Sequence, residues 1–294
     1  MFQIISDGGC DFSREEAQKN EIAVIPFYIT FDDKTHLKEG IDISKKEYFN
    51  RLVTDKKLFP KTSQPNPQDY IDVYTPFLEE GKDILSLTIS SKLSGSHNSA
   101  EIAADMLREK YPRRIIAVID SLSVSIGQGL ILKEIIKMRD LGYDLQETVR
   151  IAEELLKTTR VYFTLDSLEY LKRGGRIGPT TALVGGVLGL RPILQLEKGE
   201  VSQLDSVRGK TRSLKLIQEA IVDALKDEKD WVNLSIGHIL KKEDATTFKE
   251  NVEAALGIQI KNPITEVGVT VGTHAGPGAL AFAYCKSFSA LAAA

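Results

Sequence analysis

The chain is 294 residues long and 42% hydrophobic, enough to bury a sizeable core, most simply as two domains. Its 38 basic and 41 acidic side chains leave a net charge of −3, which excludes a surface built throughout for nucleic acid. The 2 cysteines, Cys10 and Cys285, lie far apart and make no disulfide framework, so a reducing cytoplasm is the expected compartment.

Phe2–Ile5 is a short apolar run ending in Ser6-Asp7-Gly8-Gly9, a buried strand that enters a turn. It has no basic leader before it and does not read as a signal peptide. Ser13 and Glu16 form a capping box for a polar helix reaching Asn20. Ala23–Phe31, rich in Ile, Val and Phe, reads as one strand, and Ser44 with Glu47 as a second capping box. Two prolines keep Lys61–Pro67 extended, in a loop. Then Ile84–Ile89 (strand), Ser96–Lys110 (helix), Ile115–Ile119 (strand) and Gly127–Leu141 (helix) alternate, the signature of a parallel sheet with helices on its faces.

After a helix at Leu145–Thr158 the pattern changes. Val161–Leu165, Arg191–Glu197 and Val201–Val207 read as strands, the last two joined by a Lys198-Gly199 hairpin turn. Arg212–Leu225 is helical, Val232–Ile239 a strand, Ala245–Leu256 a helix and Ile264–Val271 a final strand. The grammar implies an N-terminal parallel-sheet α/β/α domain, 1–158, and a C-terminal mixed-sheet α/β domain, 159–294. No apolar run is long enough to span a membrane, so stable insertion is not expected; the best candidate, Thr181–Leu190, contains three glycines.

Three loops follow strand ends, where open parallel sheets bind ligands: Ser6–Asp11, Ser90–Asn98 and Asp120–Ser123. In the second, Ser94 and Ser96 can cap the following helix and Gly95 lets backbone N–H groups approach an anion; capping alone is the plainer reading. The hydroxyls of Thr62 and Ser63 suit a carboxylate bound without a formal counter-ion, although a turn role explains them equally. Gly272-Thr273-His274-Ala275-Gly276-Pro277-Gly278 is richer in glycine than a turn needs and brings His274 toward a ligand or partner. Leu168–Gly178, with Lys172, Arg173 and Arg176, ends a helix and presents cations. It opens a stretch, residues 172–212, with eight Lys or Arg against three Asp or Glu: a local +5 on a remainder of −8. Cys10 sits near a helix start that would lower its pKa, but no partner base is evident. Asp7 and Asp11 are weak candidates for metal ligands. With no CxxC, no HExxH and four scattered His residues, no zinc site is expected.

Lys61-Thr62-Ser63-Gln64-Pro65, Ser90–Ser96 and Leu168–Ile177, in this order and spacing, resemble the DegV family of bacterial fatty-acid-binding proteins, and Gly272–Gly278 fits it too. The resemblance spans essentially the whole chain. It implies a two-domain fold with one long-chain fatty acid buried between the domains and no cofactor. The carboxylate would be held by Thr62, Ser63, Ser94, Gly95 and His274. Some members are the acyl-binding subunit of a fatty acid kinase. Such a subunit has no turnover of its own; it presents the acid to an ATP-using partner and carries the acyl phosphate toward phospholipid synthesis. Partner docking would map to Arg173 and Arg208, with Arg176 a neighbour. The opening loop departs from the family pattern, with Gly8-Gly9-Cys10 in place of a hydroxyl-rich run. The apolar Ala182–Leu190 fits a tunnel wall or an ordinary core helix. Two other readings of the residues stand beside this one: a hydrolase or acyltransferase using Ser94 and His274, without the Gly-x-Ser-x-Gly elbow, and a phosphosugar or nucleotide binder using Ser94–Ser96.

Overall fold

A computed structural model describes residues 2–177 and 190–292. In the N-terminal half, β1 (Phe2–Asp7) leads through a short turn to α1 (Arg14–Lys19), whose Ser13/Glu16 capping box is complete. β2 (Ala23–Ile25) runs parallel to β1. The single strand expected over Ala23–Phe31 is two strands. Pro26, which has no N–H for a ladder, ends β2, and β3 (Tyr28–Thr30) belongs to another sheet.

β4 (Leu37–Lys38), α2 (Lys45–Thr54) and β5 (Lys61–Ser63) follow. The Ser44 capping box is half made. Ser44 accepts the Glu47 N–H, but the Glu47 carboxylate pairs with Arg51 instead of returning to the cap. Thr62 and Ser63 are not in a loop: β5 pairs antiparallel with β3, Thr62 opposite Ile29, in a sheet ordered β4-β3-β5. Next come α3 (Pro67–Glu79), β6 (Asp83–Thr88), α4 (Ser96–Lys110), β7 (Ile116–Asp120), α5 (Ile126–Asp140) and α6 (Leu145–Thr158). The parallel sheet is ordered β2-β1-β6-β7, as the alternation predicts.

The second half holds β8 (Arg160–Thr164), α7 (Glu169–Gly174), β9 (Leu190–Glu197), β10 (Glu200–Arg208), α8 (Lys210–Leu225), β11 (Val232–His238), α9 (Lys242–Leu256), β12 (Thr265–Glu266), α10 (Val269–Ala275), β13 (Leu280–Lys286) and α11 (Phe288–Ala292). Its mixed sheet is ordered β10-β9-β8-β13-β11-β12. Only the two-residue β12 lies in the expected final strand Ile264–Val271, whose end is α10. The strand that closes the sheet is β13, after the glycine-rich segment rather than before it. Helix wins at Val269 because carboxylates from the first half cap its N-terminus, a long-range partner that local apolarity does not reveal.

Period-2 alternation gives this sheet two apolar faces. Tyr162, Ile193, Ile236 and Phe282 face α8 and α9, while Val161, Leu194, Leu196 and Ala283 face the first half. α5 is buried on nearly every side because it packs against strands of both sheets.

Asp7 is fully buried at the end of β1. It accepts hydrogen bonds from the N–H groups of Gly9 (3.1 Å) and Ile89 (3.0 Å), from Ser96 Oγ (2.7 Å) and from Gln128 Nε2 (3.0 Å). Burial pushes its pKa up and these donors oppose that shift. The carboxylate therefore fixes the strand ends and the loop after β6 to one another. Asp7→Ala removes the acceptor of the buried Gly9 and Ile89 N–H groups and one bond each from Ser96 Oγ, which also meets Tyr70 Oη, and from Gln128 Nε2, which also reaches Ser6 Oγ. We expect a loss of at least about 3 kcal/mol in unfolding free energy. A urea titration reads it as a lower midpoint with an unchanged slope; a midpoint equal to the parent's would contradict this account.

Candidate fatty-acid site

Between the two halves lies a narrow, partly open cavity. The first half contributes Phe27, Ile89, Leu93 and Val124 to its wall. Val161, Phe163, Leu165, Leu171 and Val201 come from the second half, as do Val267 and Val271. Alternation explains the strand contributions: Val161 and Phe163 share a face of β8, and the small side chains of Ala279 and Ala281 leave space beside them.

The wall is carbon except at a few positions, and five of these gather together: Thr62, Gln64, Ser94, Arg176 and His274. β5 turns Thr62 inward and leaves Ser63 exposed, outside the lining. Thr62 Oγ1 and His274 Nε2 are 2.8 Å apart. α10 carries His274 in its last turn, and α10 is anchored to α2 through Tyr48 Oη and Thr273 Oγ1, 2.8 Å apart. The far nitrogen, His274 Nδ1, has no hydrogen-bond partner among the described residues and faces Gly174, where a Cβ would come within 2.2 Å of it. Burial, and secondarily the Arg176 guanidinium, push the His274 pKa down to about 4, so the ring is neutral at pH 7.

The loop after β6 is placed differently from its sequence reading. Neither serine caps α4. Ser94 Oγ accepts the Ser96 N–H at 3.2 Å, and Ser96 Oγ is committed to Asp7. The Gly95 N–H, expected to face an anion, donates to Gln64 Oε1 at 2.9 Å. Glycine at 95 lets the Gln64 amide lie against the backbone; a Cβ there would be 2.4 Å from it and would displace that side chain.

Among the cations, Arg176 is not a surface neighbour of Arg173. It is half-buried and lines the cavity, donating to Leu93 O (3.1 Å) and Gly174 O (2.5 Å); burial lowers its pKa. Arg173 is exposed, paired with Glu169 at 2.7 Å and stacked 3.7 Å over the Phe59 ring. Arg208 is exposed at the end of β10. Gly175, at φ +67°, ends α7 in the left-handed conformation and turns the chain so that the two arginines part.

The opening loop contributes through Asp7 and not through hydroxyls. Cys10 is buried, and burial drives its thiol up to about 12, the reverse of activation. The expected tunnel-wall segment lies outside the described residues except for Leu190, which begins β9. Sequence reasoning missed Gln64 and the inward role of Arg176. Gln64 follows β5, which ends at Ser63, and the loop reading of Lys61–Pro67 offered no face on which to pair it with Thr62.

The DegV family, described as "Uncharacterised protein, DegV family", matches residues 1–287. The chain belongs to the DegV family. It is 32% identical over 282 residues to the DegV domain-containing protein TTE1491 of Caldanaerobacter subterraneus subsp. tengcongensis, covering 94% of this chain and 95% of that one. A stearic acid-binding protein from Eubacterium ventriosum superposes with a TM-score of 0.94 at 31% identity, over 99% of this chain and 100% of that one. A fatty-acid-binding DegV family protein from Thermus thermophilus gives 0.87 at 28% identity, over 97% and 99%. The two-domain DegV fold is thus the fold of this chain. Among the described residues no helix is long and apolar enough to cross a membrane.

Two measurements test the geometry of this DegV site. In ligand-free protein, the His274 imidazole should show no NMR titration between pH 8 and 5; a midpoint near the usual 6.5 would contradict its burial. Because its folded pKa is depressed, His274 contributes stability that is present above about pH 6.5 and is lost as pH falls toward about 4. Gly174→Ala keeps a helical backbone but drives a methyl into the ring. We expect at least a tenfold loss of fatty-acid affinity with unchanged far-UV circular dichroism; unaltered affinity would remove His274 from the site.

Proposed function

We propose that this protein binds one long-chain fatty acid between its two domains, divided at residue 158, and presents the carboxylate to a separate ATP-dependent kinase. The observation that carries the reading is a carbon-lined cavity whose polar groups cluster at Thr62, Ser94, Arg176 and His274. Burying about fourteen methylenes at about 0.8 kcal/mol each offers about 11 kcal/mol before entropic costs, so the acyl chain supplies the affinity. The head group needs orientation more than attraction. Thr62, Ser94 and the neutral His274 ring offer hydrogen bonds, and Arg176 supplies a single positive charge.

Held from one side, the carboxylate keeps one oxygen free. That oxygen attacks the terminal phosphorus of ATP on the partner, the bond to the departing ADP oxygen breaks, and the acyl phosphate forms. The protein then carries the acyl phosphate toward phospholipid synthesis. Arg173, stacked on Phe59, and Arg208 are the cations proposed for docking the acidic face of the kinase. Two free, buried cysteines suit the cytoplasm.

The rival readings find less support. A hydrolase needs a base oriented by an acid, but among the described residues His274 Nδ1 has no partner, and Nε2 is engaged by Thr62. A phosphate binder needs free N–H groups in the loop after β6, and Gly95 N–H is engaged by Gln64.

Organic extraction of the as-purified protein, followed by mass spectrometry, should release one fatty acid per chain; a phosphosugar, a nucleotide or nothing would overturn the reading. Thr62→Ala and Ser94→Ala should each weaken fatty-acid binding by about 1–2 kcal/mol, a five- to thirtyfold rise in Kd. A double variant with parental affinity would take both hydroxyls out of the head-group site. Arg173→Ala should retain the acid and lose kinase-dependent phosphorylation. Collapse of acid binding with intact kinase affinity would reverse that assignment.

A further inference from the structure

Contacts between separate chain segments draw the polar lining residues of the cavity into a ring. Thr62 Oγ1 and His274 Nε2, 2.8 Å apart, join β5 to α10, and the His274 ring lies against Gly174. Two residues further on, Arg176 Nε donates to Leu93 O at 3.1 Å and so reaches the loop after β6. Ser94 follows in that loop, and the next N–H, from Gly95, donates to Gln64 Oε1 at 2.9 Å. Gln64 directly follows β5, which closes the ring. It lines the cavity and is also exposed, so it stands at the opening.

Chemistry settles which way the Gln64 amide is turned. An N–H group donates, so the atom that meets Gly95 is the oxygen, and Nε2 keeps both of its hydrogens. Among the described residues nothing accepts from Nε2. The amide is held on two sides. A Cβ at Gly95 would be 2.4 Å from Nε2 and 2.6 Å from Oε1, so the amide rests on the bare Gly95 backbone. Pro65, buried and next in sequence, keeps the Gln64 backbone extended. Its neighbours on the ring are donors too. Ser94 Oγ accepts the Ser96 N–H at 3.2 Å, which leaves the hydroxyl hydrogen for another acceptor, and a guanidinium such as Arg176 has no lone pair. Holding the Gly95 loop requires only an acceptor. Gln64 supplies that acceptor and two unused donors besides, in a cavity whose wall is otherwise mostly carbon. The group that satisfies such an opening has several lone pairs and no hydrogen of its own.

We propose that Gln64 is a further head-group residue: its oxygen pins the Gly95 loop while Nε2 donates to the fatty-acid carboxylate, and this donor selects an acid over a neutral lipid of the same chain length. The inference rests on the fatty-acid reading above. A carboxylate accepts from several donors at once, and each bond to an ionised oxygen is stronger than one to a neutral oxygen. A primary alcohol brings one oxygen in place of two, and its own hydrogen meets a ring made mainly of donors. Because the amide is uncharged, it adds selectivity without adding to the single positive charge of Arg176.

The test uses the full-length protein, stripped of ligand, and compares a saturated sixteen-carbon acid with the primary alcohol of the same length, each competing against one fluorescent fatty acid. Gln64→Met keeps the reach of the side chain and removes both its oxygen and its donors. It should lower the acid-to-alcohol affinity ratio at least about fivefold. Loosening of the Gly95 loop acts on both ligands alike and leaves that ratio unmoved. Gln64→Glu keeps an acceptor for the Gly95 N–H and puts a carboxylate oxygen where the donor was. It should weaken acid binding at least about tenfold and leave the alcohol near its parental affinity. A smaller change of the ratio in Gln64→Met, or parental acid affinity in Gln64→Glu, overturns the donor role. Failure of the parent to take up the acid overturns the fatty-acid reading, and the assignment of Gln64 with it.

Discussion

Three carboxylates, Asp7 and Asp11 buried and Glu39 partly buried, each turned toward backbone N–H groups, hold this site together. Asp7 ties the end of β1 to the loop that carries Ser94. Asp11 and Glu39 reach from the first half of the chain to the start of α10, whose last turn carries His274. Burial raises the pKa of all three, Asp11 to about 6, and in each case the hydrogen bonds received work against that rise. An unpaired buried carboxylate is among the most unfavourable groups a fold can contain. The donors around each one are therefore as constrained as the carboxylate itself, and polar cavity residues drawn from distant parts of the sequence arrive in one place.

Between these anchored elements the chain leaves space. Two sheets, each covered on its outer face by helices, meet around α5 and α10 without closing completely, and small residues at Ala279 and Ala281 keep the gap open. Carbon lining gives the gap an appetite for an alkyl chain and none for a sugar. The polar cluster does the opposite work. It is weakly charged, with a neutral imidazole and one half-buried guanidinium, which under the proposed function orients a carboxylate without sequestering it. That balance is what a carrier needs if a second protein is to reach the head group.

Much of the first half was legible because it obeys local rules: alternating strand and helix, a complete capping box at Ser13, and turns at strand ends. The failures cluster where distant contacts decide. Ile264–Val271 reads as strand from its Val, Ile and Thr content, but two carboxylates more than two hundred residues earlier cap its end, from Val269, as a helix. Pro26 divides one apolar run between two sheets. For the site, hydroxyl content marked Thr62 and Ser94, whereas the sorting of Arg176 inward from Arg173 depends on the left-handed turn at Gly175. Gly95 was noticed for the right property, close approach, but its neighbour is the Gln64 side chain.

The central claim is that an acyl chain fills the space between the sheets with its carboxylate at the Thr62 end. The most direct measurement is a crystal structure of the protein with the fatty acid it carries when purified. The account predicts continuous density through the cavity, with carboxylate oxygens within hydrogen-bond distance of Thr62 Oγ1 and Ser94 Oγ and the acyl chain among Val161, Phe163 and Leu171. A carboxylate bound at Arg173 or Arg208, or an acyl chain lying outside this cavity, would contradict it.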